Sequence, residues 1–320
     1  MPERELIDAF LRPFGRGARV DRAAGIAVGA GLSDCAVLQA TAGRKLVATT
    51  DAVVEGVHFD RRFFAPEDVG WKALAVNLSD LAAAGARPRW FLCALGVPRG
   101  FDGAQEHAAR MARGMAQLSR RHGCAIAGGN VTSAREWSVT ITALGEARRP
   151  LTRAGGRAGD ALVVVGTLGD AAAALEVLRG ARETSVAIRR SLRAQLRPTP
   201  LVDEGLAAAP LASAAIDVSD GFLADLAQLS RASGCGATVE CASLPLGPLA
   251  RRTRDGLGLA LAGGEDYALL LAVPRARLAR LLASTGGVEV GRLVRKPGLS
   301  LTERGVARPL PARLGFDHLR

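Results

Sequence analysis

Two periods alternate along this chain. Apolar residues recur at helical spacing from Glu3 to Leu11, which reads as a short amphipathic helix. Cys35–Gln39 and Lys45–Thr49 read as strands paired across the turn Thr41-Ala42-Gly43. Pro66-Glu67-Asp68 is helix-start chemistry, and the helix it opens stops at Gly85. A strand over Trp90–Val97 follows, then a helix from about Asp102 to His122, then strands over Cys124–Ala127 and Trp137–Gly145. Gly145 to Asp160 is polar and rich in Arg, Gly and Pro, the composition of a domain junction. Beyond it the spacing predicts a strand at Ala161–Val165, a helix at Asp170–Leu178, a strand ending at Ile216 and a helix from Phe222 to Ser233. Strands at Ala237–Glu240 and Leu269–Val273 complete the pattern. The expectation is an α/β fold with mixed sheets in two domains, 1–148 and 149–320.

Composition agrees with a folded chain of that size. At 320 residues, with 48% apolar and 23% charged positions, it is neither disordered nor a solvating tail. The net charge of +11 would suit nucleic acid or an anionic membrane. Against that, Lys45, Lys72 and Lys296 are the only lysines, the arginines form no long block, and aromatics are 4%. Stacking platforms for single strands are therefore missing, and no nucleic-acid partner is expected. Cys35, Cys93, Cys124, Cys235 and Cys241 are odd in number and include no Cys-x-x-Cys pair, which points to reduced thiols. The charged start MPERELIDAFLRPFGR is no signal peptide, and no apolar run reaches the ~18 to 20 residues of a membrane span. A soluble cytoplasmic protein with no membrane partner is expected.

The familiar phosphate and hydrolase templates are absent. No lysine follows a glycine, which excludes a P-loop, and Gly29-Ala30-Gly31 lacks the third glycine of a dinucleotide fingerprint. There is no His-Glu-x-x-His and no Gly-x-Ser-x-Gly. What stands out is a set of acids at strand ends and helix starts, each beside small or hydroxyl residues. They are Ser33-Asp34, Thr49-Thr50-Asp51, Asn77-Leu78-Ser79-Asp80, Asp217-Val218-Ser219-Asp220-Gly221 and Gly263-Gly264-Glu265-Asp266. Unit charges ~4 Å apart repel by on the order of 4 kcal/mol at an effective dielectric near 20, so converging carboxylates require a cation. Hard oxygen ligands of this kind suit Mg²⁺, which completes its shell with waters and substrate phosphates. The alternative for each acid taken singly is a helix cap or turn. Gly128-Gly129, directly after Cys124–Ala127, reads either as a place for backbone to approach a phosphate or as a plain tight turn.

Six segments carry a resemblance. TTDAVVEGVHF (Thr49–Phe59), WKALAVNLSDLAAAGARP (Trp71–Pro88), LTRAG (Leu151–Gly155), AAIDVSDG (Ala214–Gly221), AGGEDY (Ala262–Tyr267) and GFDHL (Gly315–Leu319) are similar, in order, to thiamine-monophosphate kinases. That family shares a superfamily with the aminoimidazole-ribonucleotide synthetases, selenophosphate synthetases and hydrogenase-maturation dehydratases. The selenophosphate synthetases would need a reactive N-terminal Cys or selenocysteine and the dehydratases a C-terminal Cys. This chain ends in His318-Leu319-Arg320, and its first cysteine is Cys35.

The resemblance implies an ATP-dependent kinase that converts thiamine monophosphate to thiamine diphosphate. It implies Mg²⁺ ligands at Asp34, Thr49, Thr50, Asp51, Asp80, Asp217 and Asp220, with Asp51, Asp80 and Asp220 closest to the reaction. ATP would meet Gly128, Gly129, Arg153 and Ser219, and the acceptor would meet His58, Glu265 and Phe316. It also implies a homodimer formed through the N-terminal sheet, with the C-terminal domain completing the active site. Two positions depart from the family pattern. Gly-Asp-Asp becomes Leu32-Ser33-Asp34, which keeps one acid. Gly-Gly-Asp-Thr becomes Gly128-Gly129-Asn130-Val131, so an amide replaces a metal-binding carboxylate at Asn130; its oxygen can coordinate, but without the full charge metal binding should weaken. Those departures keep open a weakened paralogue that binds ATP or thiamine phosphate, and the acceptor residues leave room for another small phosphate.

Overall fold

The computed structural model describes residues 3–18, 21–29, 35–180 and 192–316. Backbone contacts divide the chain into two compact units, one of residues 1–81 and 87–148, the other of 82–86 and 149–320.

The first unit starts with helix α1 (Glu3–Leu11) and the short strands β1 (Ile26–Val28) and β2 (Val37–Leu38), which pair with each other. Its centre is a four-stranded sheet in the order β3 (Lys45–Val54), β6 (Ser138–Ala147), β4 (Arg87–Pro98), β5 (Ala125–Ala134). β4 and β5 run parallel and the other pairs antiparallel. Residues in one row across a sheet share a face, so rows alternate between its two sides. The row Val53, Val139 and Leu95 and the residues Ile141 and Cys93 are buried, whereas Thr50, Ala52, Ala94 and Asn130 are exposed. At one end of the second face, Ile26 and Leu38 of the β1–β2 ladder cover Trp90 and Leu144.

Helices α2 (Pro66–Ala83) and α3 (Ala104–His122) pack together at glycines. A methyl group on Gly70 would lie 1.9 Å from the Met111 carbonyl oxygen, and one on Gly114 would lie 1.8 Å from that of Glu67. The two backbones touch there, and no larger residue fits without pushing the helices apart. Arg110 pairs with Glu67 across the same contact, through Nε at 2.8 Å and Nη2 at 2.9 Å. α2 is buried on nearly every side, which keeps its polar residues Asn77 and Ser79 out of solvent and holds Asn77 against the edge strand β3.

A seven-stranded mixed sheet forms the second unit, in the order β13 (Val306–Arg308), β12 (Leu299–Glu303), β9 (Gly236–Glu240), β11 (Val288–Val294), β7 (Ala161–Val165), β10 (Leu269–Val273), β8 (Ala214–Asp217). β12 and β9 are parallel and the remaining neighbours antiparallel. β7 and β10 are buried along their whole length, as their unbroken runs ALVVV and LLLAV require. Helices α4 (Asp170–Gly180), α5 (Arg193–Leu196), α6 (Val202–Ala208), α7 (Phe222–Ala232), α8 (Gly256–Ala262) and α9 (Arg275–Thr285) accompany the sheet. Phe222, Leu226 and Leu229 of α7 join Leu162, Ile216, Val239 and Leu270 in one core cluster.

Two expectations are corrected. Val37–Leu38 pairs with Ile26–Val28, not with Lys45–Thr49, and β3 runs on to Val54 to pair with β6. Gly128-Gly129 is no turn, because β5 continues through it to Ala134. The reason lies at Gly129, where a methyl group would sit 1.9 Å from the Cys93 carbonyl oxygen of neighbouring β4. Cys93, Cys124 and Cys241 are buried and Cys35 is exposed, and none of the five cysteines forms a disulfide. Burial pushes the Cys93 thiol up to about 12 and raises that of Cys124 as well. Among the described residues, no helix is long and apolar enough to cross a membrane.

Candidate active site

In the first unit the acids lie where β3 meets α2. Thr49 Oγ1 donates to Asp80 Oδ2 at 2.5 Å, a short charge-assisted bond that ties strand to helix. Two residues on, the backbone N–H of Asp51 donates to Asn77 Oδ1 at 3.1 Å, and Asn77 Nδ2 donates to the Ala73 carbonyl at 3.0 Å. Asn77 is fully buried, so both halves of its amide are committed to backbone. Thr50 faces the other way, where its hydroxyl donates to the Ile141 carbonyl at 3.0 Å and accepts from Thr142 Oγ1 at 3.2 Å.

His58 follows β3 in a tight turn, its N–H donating to the Val54 carbonyl at 2.9 Å. Its Nδ1 accepts from the Val54 N–H at 3.2 Å, so in the neutral ring the proton sits on Nε2. The buried Lys72 of α2 donates to the His58 carbonyl at 3.1 Å and fixes the loop from beneath.

Asn130 stands apart from these residues. Gly129 shares a row with Cys93, Ile141 and Asp51, and Asn130 is the next residue along β5. β5 and β3 are opposite edges of the sheet, so Asn130 and Asp51 lie at nearly the same height but three strand spacings apart, about 14 Å. Ser33 and Asp34 lie outside the described residues. Among the described residues, no three Asp, Glu, His or Cys side chains gather into a ready-made metal cage.

In the second unit, Asp217 ends β8 and the segment Val218–Gly221 leads into α7. Gly221 takes φ +128°, a conformation closed to ordinary side chains. One carboxylate oxygen organises the segment: Asp225 Oδ2 accepts the N–H groups of Ser219, Asp220 and Gly221 at 3.0, 3.1 and 3.2 Å. Burial, with Asp220 nearby, raises the Asp225 carboxyl to about 7. Its other oxygen accepts from Gln228 Nε2 at 3.2 Å, and Gln228 Oε1 accepts from Arg153 Nη1 at 2.8 Å.

The Gly263–Tyr267 segment presses on the same turn. The Glu265 N–H donates to the Ser219 carbonyl at 2.7 Å and the Tyr267 N–H to that of Val218 at 2.8 Å. Both residues adopt positive φ, +69° for Glu265 and +51° for Tyr267, uncommon for residues bearing a Cβ and typical of functional segments. Gln195 Nε2 of α5 donates to Glu265 Oε2 at 2.7 Å. Phe316 arrives from the far end of the chain, its N–H donating to the Asp220 carbonyl at 2.8 Å while the residue is 58% exposed. Asp266 has a different task, because it accepts from Gly169 and Ala171 at the start of α4 and is raised to about 7 by burial.

The structure thus brings Thr49, Asp51 and Asp80 together in one unit, and Arg153, Ser219, Asp220, Glu265 and Phe316 around one turn in the other. Asn77, which opens the Asn77–Asp80 motif, is a supporting residue, and Asp225, Gln228 and Gln195 are supports that the motifs did not single out. The acid in the first turn of α7, directly after Asp217–Gly221, was the available signal for Asp225.

Known proteins share this architecture. Residues 32–147 match the family profile described as AIR synthase related protein, N-terminal domain, and residues 157–303 match its C-terminal domain. A thiamine-monophosphate kinase of Aquifex aeolicus (strain VF5) is 35% identical over 270 residues, 82% of this chain and 87% of that protein. The chain belongs to the thiamine-monophosphate kinase family. A crystal structure of the thiamine-monophosphate kinase from Stenotrophomonas maltophilia K279a superposes with a TM-score of 0.80 at 35% identity, covering 96% of this chain and 98% of that one. A second member, AaThiL complexed with AMPPCP and TMP, gives 0.78 at 32% identity and covers 88% and 89%. The two-domain fold of this family is the one the described units adopt.

Proposed function

We propose that this protein transfers the terminal phosphoryl group of ATP to thiamine monophosphate, yielding ADP and thiamine diphosphate. The observation that carries the reading is the match, over most of the chain, to thiamine-monophosphate kinases, one of them solved with AMPPCP and TMP.

In this reading Asp34, Thr49, Thr50, Asp51, Asp80, Asn130, Asp217 and Asp220 hold Mg²⁺. Every donor in that set is a hard oxygen, the chemistry this ion requires. Bound Mg²⁺ supplies neutralisation of phosphate charge and alignment of the attacking oxygen for in-line transfer. The residues do the rest. Arg153 and Ser219 bind ATP, and Gly128 adds a stretch of β5 where backbone approaches phosphate. His58, with its proton on Nε2, donates to the acceptor phosphate, while Glu265 and Phe316 hold the thiamine end. The attacking oxygen is already ionised, so no strong general base is needed.

The homodimer belongs to the same reading. Asp51 and Asn130 sit about 14 Å apart on opposite edges of one sheet, too far to share an ion within one chain. They lie at nearly the same height but in adjacent rows, so a second copy that sets its β5 edge beside β3 brings Asn130 next to β3 on the face of Thr50, with Asp51 on the other face. Residues 1–148 then serve for dimerisation and Mg-ATP, residues 149–320 complete the site, and thiols without disulfides suit the cytoplasm.

The test is formation of ADP and thiamine diphosphate from Mg-ATP and thiamine monophosphate by purified protein. Asp51→Ala and Asp80→Ala should each lower turnover at least a hundredfold with the protein still folded, and native rates in either would sink the metal assignment. Asn130 favours one second reading, a binder without turnover. Calorimetric titration showing tight ligand binding with no ADP formed would establish it.

A further inference from the structure

α7 holds two things at once, the acid-bearing turn at its start and an arginine along its side. Asp225 Oδ2 is committed to three successive N–H groups of that turn, so Oδ1 is the oxygen that meets Gln228 Nε2. An amide has a donor end and an acceptor end. With Nε2 turned to a carboxylate, Oε1 must point away, and there it meets Arg153 Nη1 at 2.8 Å. The main chain of Arg153 is tied to the end of the same helix, where Ser233 Oγ donates to its carbonyl at 3.0 Å and accepts from the Gly156 N–H at 3.1 Å. Arg153 is otherwise an exposed side chain with many rotamers.

We propose that Gln228 is a positioning residue that locks Arg153 onto the Ser219–Gly221 turn, with the Asp225 carboxylate setting the direction of the amide between them. The inference rests on the reading above, in which Arg153 binds ATP. Its consequence is that the ATP-binding guanidinium and the acid-bearing turn keep a fixed separation whether or not substrate is present.

Reversing the polarity of the relay tests this. In Asp225→Asn the amide oxygen keeps the three N–H groups, so Nδ2–H faces Gln228. Gln228 must then turn over and show a donor to Arg153, which loses its partner. The Kd for AMPPCP in Mg²⁺ should rise about three- to tenfold, the cost of ordering one freed side chain on binding. Gln228→Glu alone sets two carboxylates against each other and should weaken AMPPCP similarly. The double variant Asp225→Asn, Gln228→Glu restores every bond at unchanged net charge. The amide introduced at position 225 donates to the carboxylate introduced at position 228, and that carboxylate accepts from Arg153. Its Kd should return to within about twofold of native, whereas two merely structural lesions would add. Gln228→Met, a milder change, should raise the KM for ATP and leave the KM for thiamine monophosphate in place. A double variant as weak as its worse parent, or an unchanged Kd in Gln228→Met, overturns the relay. Native protein that binds AMPPCP but forms no thiamine diphosphate defeats the kinase reading while the Kd values still decide the relay. Native protein that fails to bind AMPPCP overturns both.

Discussion

Replacing Asn130 by Asp restores the carboxylate that the family pattern expects, and the sheet determines what it should do. Within one chain the nearest assigned acid across the sheet is Asp51, about 14 Å away at the opposite edge. At that separation in water a unit-charge repulsion is about 0.3 kcal/mol. Asn130 is also exposed, and surface substitutions of this kind stay within about 0.5 kcal/mol. The folded chain should therefore tolerate the change. In a dimer that sets β5 beside β3 of its partner, residue 130 lies one strand spacing away in the adjacent row and on the opposite face from Asp51, which leaves their carboxylates roughly 8 Å apart. Two carboxylates there repel by on the order of 2 kcal/mol at an effective dielectric near 20. Without Mg²⁺ the variant dimer should dissociate at protein concentrations where the native dimer persists. With Mg²⁺ the added charge becomes a ligand, and half-saturation of activity should fall at least tenfold. Sedimentation with and without Mg²⁺, beside a Mg²⁺ titration of ADP release, reads both effects. An unchanged dimer constant together with an unchanged Mg²⁺ midpoint would refute the placement of Asn130 at a shared metal.

Two other expectations concern what supports the site. Gly114→Ala forces a methyl group 1.8 Å from the Glu67 carbonyl, so α2 and α3 must separate. The cost of overpacking is about 1–3 kcal/mol, a fall in Tm of roughly 3–10 °C, and a native Tm would show that the helices yield more easily than argued. Asp266, raised to about 7 against an ordinary value of about 3.9, holds a proton in the folded protein that the unfolded chain has released. Its stabilisation is complete below about pH 4 and lost as pH rises through 7. Asp266→Asn should therefore gain stability relative to native protein between pH 5 and pH 8, and parallel Tm curves would contradict the shift.

Helix ends and buried strands were legible because their causes are local. Pro66-Glu67-Asp68 opens α2, Gly123 in the left-handed region closes α3, and unbroken apolar runs mark β7 and β10. Pairing was not legible. β3 finds its partner in β6, about ninety residues away, and Val37–Leu38 turns back to Ile26–Val28 because Trp90 and Leu144 need a cover. Gly128-Gly129 misleads for a related reason. Glycine there answers to the Cys93 carbonyl of a neighbouring strand, a demand with no trace in the local sequence.

The site divides along the same line. An acid at a strand end could be read from Asp217–Asp220, whereas Thr49–Asp51 lie inside β3 and Asp80 in the last turn of α2, not at the strand end and helix start that the pattern suggested. Of their supports, Asn77 stood in the motif with Asp80 but Asp225 stood in none, since it reaches the acids through backbone. Asn77 accepts from the main chain of Asp51 and Asp225 from that of Asp220, so the hydrogen bonds that shape these turns fall on N–H groups. Shape and charge thereby rest on different residues. A neutral substitution at Asp51 or Asp220 removes charge and leaves the supporting bond in place, whereas an apolar replacement of Asn77 or Asp225 leaves the charges of Asp51 and Asp220 and releases the backbone beside them. In a site that must bring several carboxylates toward anionic phosphates, this separation lets the acids answer to cation and substrate while the backbone stays where the fold put it.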